Sequence, residues 1–80
     1  MRRIVYAASA TKAMGKLPDA VRKQIVAKLE RYVDTGAGDV RALVGRTELR
    51  LRVGDYRVLF IQSSDGLHVV SVANRRDAYR

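Results

Sequence analysis

Arginine dominates the residues of this chain that could do chemistry. Arg50, Arg52 and Arg57 stand close together, and Arg75, Arg76 and Arg80 follow near the end with Tyr79 among them. Glu48 lies just ahead of the first group, and His68 is the one histidine. A guanidinium is a planar fork of donors matched to phosphate and carboxylate oxygens. Its pKa exceeds about 12, so it serves poorly as a general base. Such a set can hold a phosphate and stabilise charge that develops on it. It can also promote attack by a ribose 2′-hydroxyl on the adjacent phosphate. That reaction needs no metal, because the substrate supplies the nucleophile, and DNA lacks the hydroxyl.

Other chemistries are poorly served. Cysteine is absent, so there is no disulfide framework, thiolate nucleophile or thiolate metal site. One histidine cannot build a His-rich metal site. No Ser-His-Asp grouping, no carboxylate metal cluster and neither of the motifs GxGxxG and GxxxxGK[ST] occurs. The expectation is therefore no cofactor and no metal. His68 falls inside a β-like run and reads as a structural residue.

Charge points the same way as the arginines. Sixteen Lys+Arg against eight Asp+Glu leave a net charge of +8 and a pI near 10.6. A small domain with that balance meets a polyanion, either nucleic acid or an acidic protein. All four lysines, Lys12, Lys16, Lys23 and Lys28, lie in the first half. The second half is basic by arginine alone.

The elements that must position these side chains follow from periodicity. Residues 3–7 are β-branched and aromatic and read as a strand. Ser9 is a candidate N-cap for a short helix over 10–15. Pro18 then suits the first turn of a longer helix, where its missing N–H costs nothing. Val21, Ile25, Leu29, Tyr32 and Val33 form one apolar stripe at helical period, ended by Gly36 and Gly38. Residues 35–46 read as a connection that tucks Val40 and Leu43 into the core. From Glu48 the period becomes two: Leu49, Leu51 and Val53 point one way, Glu48, Arg50 and Arg52 the other. Gly54-Asp55 supplies a two-residue hairpin turn of type II′. Residues 56–61 are apolar on both faces and should be a central strand. Ser63 to Gly66 is a second turn, and 67–72 a last strand.

The predicted order is β-α-α-β-β-β, an α+β domain with an antiparallel sheet packed by two N-terminal helices. Eighty residues make one small domain, 1–80. No apolar run approaches the roughly 18 residues of a transmembrane helix, and no signal peptide opens the chain, which fits a cytoplasmic protein with no membrane partner. The short hairpin should place Arg52 opposite Arg57, with Arg50 on the same face. Opposed like charges destabilise a sheet by tenths of a kcal/mol or more. The arrangement makes sense if an anion normally sits among them.

Four segments carry a family resemblance. They are Lys16-Leu17-Pro18 leading into Val21-Arg22; Asp39-Val40-Arg41-Ala42-Leu43-Val44-Gly45; Arg50-Leu51-Arg52-Val53-Gly54-Asp55-Tyr56-Arg57-Val58-Leu59-Phe60; and Asn74-Arg75-Arg76-Asp77-Ala78-Tyr79-Arg80. In that order they resemble the RelE/ParE superfamily of type II toxin–antitoxin toxins over nearly the whole chain, closer to RelE. The resemblance implies the small RelE-like microbial RNase fold, and an endoribonuclease that cuts mRNA in the ribosomal A site. It implies that Arg57 holds the scissile phosphate and that Arg50 takes the place of a catalytic lysine. Arg75 would assist the leaving group. Tyr79 would stack on a substrate base and help to activate the 2′-hydroxyl. Arg52, Arg76 and Arg80 would bind substrate around them.

Glu48 departs from the pattern, standing where RelE has a second catalytic lysine. Two roles are open to it: a general base, or the partner of a neighbouring arginine. The implied partners are a cognate antitoxin, mRNA on the ribosome, and operator DNA only through the antitoxin. Two other functions share the fold: a ParE-like inhibitor of DNA gyrase, and an inactive member that only binds its antitoxin.

Overall fold

The computed structural model describes residues 3–74. Within them the chain runs β1 (Arg3–Tyr6), α1 (Ala8–Gly15), α2 (Asp19–Thr35), β2 (Val40–Ala42), β3 (Leu49–Val53), β4 (Tyr56–Ser63) and β5 (Gly66–Asn74). The strands form one sheet in the order β1-β5-β4-β3-β2, with both helices on one face.

Both helices start and stop for local reasons. The residue before α1 is Ala7, in extended conformation, and Ser9 lies inside the helix, not at its cap. Its Oγ donates instead to the Val70 carbonyl at 2.9 Å, tying α1 to β5. Pro18 is the cap residue of α2 and precedes its first turn; its carbonyl accepts from the Arg22 N–H at 3.0 Å. Asp19 pairs with Arg22 one turn on. Gly36 ends α2 in the left-handed conformation at φ 75°, which L side chains resist, and donates to the Tyr32 carbonyl.

The apolar stripe of α2 behaves as its spacing predicts. Ile25 and Leu29 are fully buried, while Val21, Tyr32 and Val33 pack at the margin. Opposite them lie Leu51, Val53, Val58, Phe60, Leu67, Val69 and Val72 from the sheet, with Ala10 and Met14 from α1. Phe60 is the largest fully buried side chain, and the Tyr32 ring tilts against it at 5.5 Å between centroids. Beside it the Tyr32 hydroxyl meets Gln62 Oε1 at 3.1 Å.

The sheet departs from the sequence expectation in two ways. It is mixed, not antiparallel, because β1 pairs in parallel with β5. A parallel pair needs a long crossover; here α1 and α2 begin that path between β1 and the remaining strands. The pattern within a strand holds no record of that direction. The 35–46 segment also contains a fifth strand, β2, pairing Val40 with Leu51, Arg41 with Arg50 and Ala42 with Leu49. Its three residues are too few to show a period. Val40 does reach the core margin, as expected.

The other strands match closely. β4 is central, between β5 and β3. Gly54 has φ 57° and Asp55 does not have positive φ, which makes the β3–β4 turn type II′. β5 carries an irregularity: Leu59 pairs with Ser71, but Phe60 pairs with Val69. Val70 is the extra residue of a bulge. The bulge lets Val69 and Val72, an odd number of residues apart, both face the core. At its start, a Cβ on Gly66 would collide with the Arg3 carbonyl, so glycine permits the close approach of β1.

Candidate active site

The face of the sheet turned away from the helices carries the arginines. Alternation along β3 and β4 sends Leu51, Val53, Val58 and Phe60 to the core, and Arg50, Arg52 and Arg57 to the other side. The hairpin sets Arg52 directly across from Arg57, as its two-residue turn predicts. Arg50 lies across from Leu59. One strand further out, Arg41 lies across from Arg50. The face therefore holds a cationic corner of four arginines drawn from β2, β3 and β4.

Their exposures differ, and the difference follows strand position. Arg57, on the central strand, is only 7% exposed, the one charged residue buried among those described. Its neighbour on β5 is the small Ala73. Arg50 is half-buried, while Arg52 and Arg41 are exposed. A guanidinium cannot shed its charge on burial. Burying one is worthwhile only where fixed acceptors meet it. The depth of Arg57 restricts the direction of its donors, and the more exposed arginines flank it on the β3 and β2 side.

Arg41 was not among the residues singled out from sequence. The signal that could have found it was pairing: a strand at 40–42 aligned with β3 puts it beside Arg50. It lies 4.0 Å from Asp39 and stays largely in solvent.

Glu48 is engaged. Its Oε2 lies 2.6 Å from Arg46 Nη2, and its Oε1 accepts from the Thr47 hydroxyl at 3.2 Å. Of the two roles left open by the sequence, this geometry is that of an ion-paired carboxylate. Arg75, Arg76, Tyr79 and Arg80 lie outside the described residues. Asn74, which ends β5, pairs with Tyr56, one position from Arg57.

His68 lies within β5, in the strand expected of it. It is exposed on the open face, between Ile61 of β4 and Val5 of β1 in register. The strand period places it there while Leu67 and Val69 fill the core. Among the described residues no three His, Asp or Glu side chains group as metal ligands, and no helix is long and apolar enough to cross a membrane.

No family model matches the chain, and neither does any curated protein. Solved structures do match it. The Escherichia coli RelBE toxin–antitoxin complex aligns with a TM-score of 0.79 at 20% identity, over 92% of this chain and 96% of that one. The RelB–RelE complex of Methanococcus jannaschii gives 0.77 at 22%, over 94% of each. The YoeB–YefM complex of Staphylococcus aureus gives 0.74 at 15%, over 90% and 94%. The chain has the RelE-like fold.

Proposed function

We propose that this protein is the toxin of a type II toxin–antitoxin system and acts as a ribosome-dependent mRNA endoribonuclease. The observation that carries the reading is Arg57, buried on the open face of the central strand with Arg52 directly across from it on β3, Arg50 two residues further along that strand, and Arg41 beyond it on β2. The RelE-like fold supports it, since the aligned chains belong to toxin–antitoxin complexes.

In this reading the scissile phosphate lies against Arg57. The substrate's 2′-oxygen bonds to phosphorus and passes its proton to water, while the bond from phosphorus to the 5′-oxygen breaks and that oxygen takes up a proton as it leaves. The products are a 2′,3′-cyclic phosphate and a 5′-hydroxyl. Negative charge builds on the non-bridging oxygens, where the fixed donors of Arg57 and the nearby Arg50 stabilise it. Arg75 assists the departing 5′-oxygen. Tyr79 stacks on a base and helps the 2′-hydroxyl react. Arg52, Arg76 and Arg80 hold the flanking backbone. Glu48 stays paired with Arg46 in this scheme. Metal and cofactor have no part in this scheme.

A cognate antitoxin would cover the cationic face, and opposite charge would speed its approach. Operator DNA would be met only through that antitoxin, and the site of action would be the cytoplasm. The Glu48–Arg46 pair also favours a second reading, an inactive member that only binds its antitoxin. Expression without antitoxin separates these. Rapid loss of translation is expected of the nuclease, and mRNA recovered from the cells should carry new 5′-hydroxyl ends. Normal growth from folded protein supports the inactive reading, and trapped DNA–gyrase complexes would indicate a ParE-like inhibitor.

A further inference from the structure

The open face has a second half that the arginines do not occupy. At the end of the sheet away from the β3–β4 turn, Val5, His68 and Ile61 lie side by side on β1, β5 and β4. Val5 is 50% exposed and Ile61 41%, and His68 is exposed between them. The ring is unusual in its surroundings. Tyr6, Tyr56 and Phe60 belong to the core side, so His68 is the only ring on the open face among the described residues. A hollow adjoins the row, rimmed by Arg3, Ser63, Ser64 and Asp65.

A flat ring set between two apolar side chains is a surface on which a planar group can stack. The partner is suggested by what shares the face. The cationic corner selects a polyanion, and Arg57 and Ile61 lie four residues apart on one strand, roughly 13 Å. An extended single strand of nucleic acid spans that distance in a few nucleotides. Its phosphates would follow the arginines while an unstacked base lay over the row. Single-strand binding sites combine these two parts, a basic groove and a stacking platform. The serine hydroxyls and the Asp65 carboxylate at the rim are suited to the polar edge of such a base.

We infer that His68, framed by Val5 and Ile61, is a stacking platform for a base of the same single-stranded RNA whose phosphate lies on Arg57. This rests on the RNA reading of the arginine corner. A stacking contact contributes affinity without releasing counterions, so its loss should not change the salt dependence of binding.

The test uses the full chain and a fluorescently labelled single-stranded RNA octamer made uncleavable with 2′-O-methyl groups. Its affinity is measured over a range of salt for the wild type, His68→Ala and His68→Phe. His68→Ala is expected to bind roughly tenfold more weakly with an unchanged salt slope. His68→Phe, which keeps a ring, is expected to restore the loss. Equal binding by His68→Ala and wild type would overturn the platform and leave the RNA reading standing. A shallower salt slope in His68→Ala would overturn it too, since that signals a phosphate contact. A wild type that cuts mRNA on programmed ribosomes but does not bind the octamer overturns the platform and leaves the RNA reading standing; one that does neither overturns both. Matching thermal melts for the exposed-site variants show that each comparison is between folded proteins.

Discussion

The two faces of this sheet are built from the same strands and do opposite work. Leu51 and Arg52 are neighbours in the chain, yet one is fully buried against α2 and the other stands in solvent. Val58 and Arg57 make the same contrast, with a twist: Arg57 is also buried, on the side without helices. The core face gains stability from apolar contact. The open face sets Arg52 against Arg57 and Arg41 against Arg50, pairings that work against stability. Residues that do not help the fold, but recur at one corner, indicate an anion.

Substitutions can break this contrast. The largest effect is expected on the core side. Phe60→Ala removes the largest buried side chain and should cost about 3–5 kcal/mol. Stability for a domain of this size is on the order of 4–12 kcal/mol, so urea unfolding should begin near zero denaturant. A loss below about 1 kcal/mol would show that the core lies elsewhere.

The outer arginines should behave in the reverse manner. Arg41→Ala is expected to change stability by no more than a few tenths of a kcal/mol and to weaken RNA binding, lowering the slope of log affinity against log salt by about one. An unchanged slope would remove Arg41 from the face. Arg52→Gln should separate the two quantities most clearly. Relief of the cross-strand repulsion should raise stability by a few tenths of a kcal/mol while RNA affinity falls. Parallel losses in both would contradict the contrast drawn above.

The smallest effect concerns alkaline pH. Burial, and then the charge of Glu30, raise the pKa of Tyr6 above 10.0. A group whose pKa is raised by folding contributes its stability below the unfolded value and loses it as pH rises through the folded one. Stability should therefore decline from about pH 10 upward. Tyr6→Phe should flatten that decline, as followed by urea titrations at several alkaline pH values. An equal decline in the variant would assign it to other groups.

Much of this arrangement was legible in the sequence, and what was missed has physical causes. The β3–β4 hairpin was readable because a two-residue turn with glycine first leaves one register. That register alone put Arg52, Arg57 and Arg50 on one face. The stripe of α2 was readable from its period. Arg41 was hidden because three residues of β2 carry no periodic signal, and its neighbours on β3 are set by pairing at a distance. The direction of β1 was hidden for a similar reason, since the helical crossover decides it. Ser9 resembled a cap, but its hydroxyl is taken by Val70 on a strand far along the chain. His68 was readable as a strand residue, and the regular alternation of Leu67 and Val69 into the core sets it on the open face. Arg75, Arg76, Tyr79 and Arg80 remain sequence-based assignments.

Arg57, buried on the open face, is the proposed holder of the phosphate that is cut. Its most direct test is primer extension on mRNA carried by programmed 70S ribosomes, comparing wild type with Arg57→Ala under single-turnover conditions. Cuts in the A-site codon that need ribosomes are expected, at a rate roughly 10²–10³-fold lower in the variant, with circular dichroism showing the fold intact. Cutting by folded Arg57→Ala at the wild-type rate would contradict that role.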